Sequence, residues 1–144
     1  MRVRSAVVLT MNNDVALIKR SREQRRYYLF PGGGVESGET PEEAAIREVL
    51  EELGVRVALT RLAAIARYGE NLQLYYTGTV ISGIFGTGTG EELSSTPESE
   101  AGSYEPVWIP ISELGSYDIR PKVLAQSLRE GLLGGGRLPL WIDE

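Results

Sequence analysis

The sequence predicts an α/β fold, on three observations. Strand-length runs rich in apolar and β-branched residues recur at 2–10, 15–19, 55–68 and 72–81. A segment of helical period separates the second of these from the third, between Thr40 and Gly54. Another helical segment opens at Pro121, after the last strand-like stretch. At 144 residues the chain suits one domain, 1–144, with a core of its own, and neither an internal repeat nor a linker divides it.

Taken in order, Arg2 to Thr10 alternates and then turns apolar, which predicts a strand. Asn12-Asn13-Asp14 predicts a hairpin turn, and Val15 to Lys19 the return strand. Tyr27 to Phe30 is a short strand running into Phe30-Pro31-Gly32-Gly33-Gly34, a turn in which backbone can approach closely. Thr40 is a good N-cap, Pro41 suits the first helical position, and Glu43 completes a Thr-x-x-Glu capping box. Gly54 ends that helix. Within it, Ile46, Val49, Leu50 and Leu53 form the expected core stripe, with Glu48, Glu51 and Glu52 on the roughly opposite face. Val55 to Tyr68 and Leu72 to Ile81 are strands. Residues 83–103, rich in Gly, Thr, Ser and Glu, have no sustained period and predict a long, mobile loop, of the kind that is a lid, a binding loop or simply disordered. Pro106 to Ile109 is a short strand. Pro121 opens a helix with Val123, Leu124 and Leu128 as its apolar side, running to about Glu130. A glycine run then releases a tail ending Leu140-Trp141-Ile142, which packs on its own domain or on a second subunit, so a homodimer stays open.

Composition excludes several chemistries. Hydrophobic residues make up 42% of the chain, and there is no Cys and no His. Disulfides, thiol catalysis, a histidine base and the usual zinc ligands are therefore absent from the sequence. The net charge of −5 argues against nucleic acid as the main partner. The apolar stretch Ala6 to Leu9 is too short for a secretory or membrane segment, so a cytoplasmic, membrane-free protein is expected.

The carboxylates of the first helix point to a chemistry. Glu48, Glu51 and Glu52 fall at helical spacing, and like charges one turn apart repel. A cluster of this kind calls for a counter-charge, and a divalent cation supplies one. With oxygen donors alone, Mg²⁺, Mn²⁺ or Ca²⁺ fits better than zinc or copper.

The same residues carry a resemblance. Gly33, Glu39, Arg47-Glu48-Val49, Glu51-Glu52 and Gly54-Val55 match at every defining position the Nudix box, the signature of Nudix hydrolases, so that the box spans 33–55. The resemblance implies a Nudix-type α/β/α sandwich around a mixed β-sheet. It implies metal-dependent cleavage of a pyrophosphate bond in a nucleoside diphosphate linked to another moiety, a small nucleotide substrate, by water attack on phosphorus with Mg²⁺ or Mn²⁺ as cofactor. It makes Glu48, Glu51 and Glu52, with a carbonyl of the glycine turn at Gly32, the metal ligands, Glu51 directly or through water. It pairs Arg47 with Glu39 to orient the catalytic carboxylates. The family differs in where its general base lies, and three acids stay open here in the order Glu100, Glu98, Glu52. Glu91, Glu92 and Glu105 are further acids of the same region.

Substrate contacts are sought among cations and aromatics. Lys19 to Arg26 reads KRSREQRR in an otherwise acidic chain. Lys19, Arg20 and Arg26, with Arg4 on the first strand, are the phosphate-binding candidates, because arginine in particular suits bidentate phosphate contact. Tyr27, Tyr28, Tyr68, Tyr75, Tyr76 and Tyr104 are candidates to stack on a base, whereas Trp108 is expected in the core. Two other functions compete: an RNA 5′ pyrophosphohydrolase and a catalytically inactive nucleotide-binding regulator. The isopentenyl diphosphate isomerases share the fold but look to a catalytic cysteine, which this chain lacks. No proline lies between Gly54 and Ser95, which disfavours an ADP-ribose enzyme, and no further mark names the nucleotide.

Overall fold

A computed structural model of the chain describes residues 1–89, 102–133 and 138–143. Among these the order is β1 (Val3–Met11), β2 (Asp14–Arg22), β3 (Arg25–Leu29), β4 (Gly32–Gly34), α1 (Pro41–Leu53), β5 (Val55–Tyr68), β6 (Asn71–Gly83), β7 (Ser103–Pro110), a 3₁₀ helix (Ile111–Ser116), β8 (Ile119–Arg120), α2 (Lys122–Arg129) and β9 (Leu140–Asp143).

The strands form one curled, mixed sheet with the path β8-β3-β2-β1-β6-β5-β9; β4 pairs with β1, and β7 with β2. β1 runs parallel to β6, β3 to β8 and β5 to β9, and the remaining pairs are antiparallel. β1 and β2 share only the register pairs Thr10–Val15 and Met11–Asp14, at a tight hairpin where Asn12 and Asn13 have φ of 52° and 67°. The other end of β1 pairs with β4, so the two halves of the sheet part between these contacts.

Side-chain alternation gives the sheet two apolar faces. Val7 and Leu9 of β1, with Ala16 and Ile18 of β2, pack under α1 through Ala45, Val49 and Leu53. Ala6 and Val8, with Val15 and Leu17, pack on the other side beneath Leu124 and Ala125 of α2. Helices on both faces give the expected sandwich, and each buried Val or Leu contributes about 1.5–3 kcal/mol.

Several sequence expectations need correction. The stripe of α1 is Ala45, Val49 and Leu53, while Ile46 and Leu50 are half-buried on one flank. Correspondingly, Glu48 and Glu52 occupy the other flank, roughly 100° and 60° from Val49, and only Glu51 lies nearly opposite the core. The glycine segment is not a free turn but a short strand, held by register pairs Gly34–Arg4, Gly33–Ser5 and Gly32–Ala6. Val123 is exposed, and Leu124, Ala125 and Ser127 are the buried residues of α2. The tail returns to its own sheet: Leu140–Asp143 runs alongside Ala64–Arg67, with Ile142 buried and Trp141 exposed.

Candidate active site

The caps of α1 place the carboxylates. Thr40 Oγ1 accepts from Glu43 N–H and Glu43 returns a bond to Thr40 N–H, while Gly54, at φ 80°, donates to Leu50 C=O. The C-terminal turn is held further by residues after β6: Gly86 N–H donates to Leu53 C=O at 2.9 Å, and a Cβ on Gly88 would collide with the carbonyls of Glu51 and Glu52. The described start of the 83–103 segment thus belongs to the end of α1, and its other described end, Gly102, lies against Ser21 and Arg22.

With α1 fixed, Glu48 and Glu52 meet the glycine strand. Gly32 N–H donates to Glu52 Oε1 at 2.8 Å. A Cβ on Gly33 would fall inside the Glu48 carboxylate, so only glycine lets backbone and acid approach this closely.

Arg47 supplies a positive charge within this acidic group. Its Nε donates to Glu39 Oε2 at 2.8 Å and its Nη2 to Glu39 Oε1 and Gly34 C=O, each at 3.0 Å. Its Nη1 donates to Glu48 Oε1 at 3.0 Å and reaches Glu51 at 3.4 Å, and Glu36 lies 3.8 Å from Nη2. The guanidinium is held above its ordinary pKa by the Glu39 bond first and then by Glu48. Glu39 is held below its ordinary value by Arg47 and then by the Glu36 N–H. Part of the counter-charge that the sequence calls for is therefore Arg47 itself.

The donor set suits a hard divalent ion in kind: carboxylates beside a glycine backbone, with neither nitrogen nor sulfur donors. Glu48 and Glu52 are the two half-buried acids turned to the glycine strand. Among the described residues, no three acidic side chains converge tightly enough to hold an ion by themselves.

Antiparallel register sorts the candidate cations by face. Ile18 lies under α1, and the residues on its face continue as Arg20 and Arg22, opposite Leu29, Tyr27 and Arg25. Arg20 Nη1 donates to the Tyr27 hydroxyl at 2.9 Å, and the guanidinium lies 4.5 Å from the Tyr104 ring centroid. Lys19 and Arg26 lie on the other face, Lys19 beside Glu105 at 3.9 Å. That pairing also turns Glu105 away from α1. Arg4 lines a cavity of about 240 Å³ with Phe30, Tyr68, Gln73, Tyr75 and Arg120, where the halves of the sheet part. Phe30, in its lining, lies two residues before the glycine strand.

Of the remaining tyrosines, Tyr76 is buried and raised above its ordinary pKa by burial and by Glu42, to which its hydroxyl bonds. Tyr28 packs edge-on against Tyr117 with centroids 5.2 Å apart. Trp108 packs with Phe85, as expected of a core residue. Glu91, Glu92, Glu98 and Glu100 lie outside the described residues. Arg120 was missed by sequence reasoning; its only sequence signal was a cation just before the Pro121 that opens α2. A separate cavity of about 300 Å³, lined by Leu114, Lys122, Gln126 and Arg129 among others, shares none of the described residues with this site.

The NUDIX domain family matches residues 1–130. The chain belongs to the Nudix family. Among Nudix relatives, an RNA pyrophosphohydrolase of Psychromonas ingrahamii is 34% identical over 61 residues, covering 42% of this chain and 34% of that protein. A putative 8-oxo-dGTP diphosphatase of Bacillus subtilis is 38% identical over 60 residues, 42% of this chain and 40% of that protein. The chain spans between about a third and under half of the length of these curated relatives. A Nudix hydrolase from Nitrosomonas europaea has the same fold, with TM-score 0.73 and 23% identity over 99% of this chain and 79% of that one. No helix among the described residues is long and apolar enough to cross a membrane.

Proposed function

We propose that this Nudix protein hydrolyses the pyrophosphate bond of a nucleoside diphosphate linked to another moiety, with Mg²⁺ or Mn²⁺. The seating of Glu48 and Glu52 against Gly33 and Gly32, with Arg47 locked behind them, carries this reading. Carboxylates fixed beside the glycine backbone before substrate arrives support a site for a phosphate-bound ion. Relatives named for RNA and for 8-oxo-dGTP both act on phosphoanhydrides, which supports the reaction class.

The ion would be held by Glu48 and Glu52, with Glu51 and the Gly32 carbonyl completing the proposed set. When bound, it neutralises phosphate oxygens and acidifies water. The chain's residues do the rest. Arg47 and Glu39 orient Glu48, and Arg4, Arg20 and Arg120 receive phosphate or sugar oxygens. A carboxylate takes the proton of the attacking water as the P–O bond to the leaving phosphate breaks; Glu100, Glu98 and Glu52 are the candidates, in that order.

The test is release of phosphate, pyrophosphate or nucleotide from nucleoside triphosphates, nucleotide sugars, ADP-ribose, dinucleoside polyphosphates and 5′-triphosphorylated RNA, with each metal and with chelator. Metal-dependent turnover of one class establishes the reaction. Nucleotide binding with no turnover of any class overturns it in favour of a regulator.

A further inference from the structure

A second cavity adjoins the first through Arg120. It measures about 310 Å³ and is lined by Arg22, Glu23, Arg25, Tyr27 and Arg120. Among the described residues, Arg120 is the one that lines both cavities. Its guanidinium lies 4.2 Å from the Tyr27 ring centroid and is steadied by Asp118 at 3.1 Å.

The arrangement is costly without a ligand. Arg22 and Arg25 are directly opposed across the β2–β3 ladder, and like charges so placed repel. The turn between them, Glu23-Gln24, has φ of 51° and 64°, a tight two-residue hairpin that keeps the pair together. A third guanidinium stands across Tyr27, and among the described residues Glu23 is the only acid in the lining. In a chain of net charge −5, such local convergence of cations indicates an anion. Rigid, planar guanidiniums favour phosphate over a carboxylate of smaller charge.

Position then specifies which phosphate. Tyr27, Arg22, Arg25 and Arg120 share the α1 face of the sheet with Leu29, and Leu29 and Arg120 also line the first cavity, together with Phe30 just before the glycine strand and Arg4 paired with Gly34. A nucleotide with its pyrophosphate at Glu48 and Glu52 and its nucleoside in the first cavity would direct its sugar toward Arg120. We infer that the Arg22–Arg25–Arg120 cavity binds a second, unreacting phosphate carried on the sugar of the substrate nucleotide. This rests on the hydrolase reading and narrows its substrate class. Such a phosphate comes from two sources: a 3′-phosphate on a mononucleotide, or the next phosphodiester of an oligonucleotide.

The experiment compares dissociation constants, by calorimetry at fixed ionic strength, of nucleoside 5′-monophosphate, nucleoside 3′,5′-bisphosphate and the dinucleotide pNpN, in adenine and guanine forms. Wild type is set against Arg22→Gln/Arg25→Gln, whose exposed positions spare the core. The expected result is that bisphosphate or dinucleotide binds wild type about tenfold or more tighter than the monophosphate. The double variant should lose that gain and keep its affinity for the monophosphate. A gain with both ligands assigns the site to the phosphate itself, and a gain with pNpN alone assigns it to an oligonucleotide. Equal affinities in wild type, no binding of any probe, or a gain that survives the double substitution overturns the inference. Turnover without this preference removes the second site and leaves the hydrolase intact; the preference without turnover removes the hydrolase reading alone.

Discussion

Arg47 grips Glu39 with two nitrogens, Nε at 2.8 Å from one carboxylate oxygen and Nη2 at 3.0 Å from the other, while its remaining nitrogen bonds Glu48 at 3.0 Å. The guanidinium fork therefore joins the loop before α1 to an acid of the proposed metal set. A lysine keeps the charge but cannot make this fork. Arg47→Lys should lower kcat by about 10–100-fold, the range for losing a group that orients a metal ligand. Far-UV circular dichroism should stay unchanged. Wild-type kcat in Arg47→Lys would show that the fork does not position Glu48.

The same pair has a pH signature. Glu39 is held below its ordinary value, so its bond to Arg47 is fully present above the unfolded carboxyl's pKa of 4.5 and is lost as pH falls through the lowered folded value. The melting-temperature gap between wild type and Glu39→Gln should be constant from neutral pH down to about 5 and then close. A gap that widens in acid would contradict the depressed pKa.

Two glycines separate conformation from contact. Gly33 faces the Glu48 carboxylate, whereas Gly38, at φ 82°, has open space where a Cβ would stand. Gly38→Ala should cost about 1 kcal/mol of stability through backbone strain, with activity retained. Gly33→Ala should displace Glu48 and lower kcat by about 10²-fold, in line with misplacing a group by about an ångström. Chemical denaturation and turnover assays on both proteins check this. Equal effects on activity would show that close approach at Gly33 is not what the reaction needs.

These contrasts also show what the sequence could and could not reveal. The caps Thr40, Glu43 and Gly54 were legible because each acts within one turn of helix. The strand character of Gly32–Gly34 was not: three glycines carry no strand propensity, and the ladder to β1 imposes it. The stripe was shifted because Ala45, small enough for close approach to the sheet, sits where Ile46 was expected. That rotation brings Glu48 and Glu52 beside the glycines rather than opposite the core. The KRSREQRR run was legible as a basic cluster, but its faces depend on register: Arg20, Arg22 and Arg25 fall on the α1 side, and Lys19 and Arg26 do not. Arg120 joins them from almost a hundred residues away, a convergence no local pattern encodes.

Glu52→Gln tests the centre of the site most directly. Glu52 Oε1 accepts from Gly32 N–H at 2.8 Å, and a glutamine carbonyl can still accept that bond. The substitution thus preserves shape and removes charge. If Glu52 serves as metal ligand or as base, turnover should fall by at least ~10²-fold with the fold intact. Titration with Mn²⁺ separates the roles. Rescue by excess metal identifies a ligand, whereas a rate that stays low at saturating metal identifies the base. Glu100→Gln and Glu98→Gln, assayed alongside, complete the assignment: a slow Glu100→Gln with normal metal affinity places the base there, and full activity in both returns it to Glu52. Near-wild-type rates in a folded Glu52→Gln protein would remove the Glu52 charge from the mechanism.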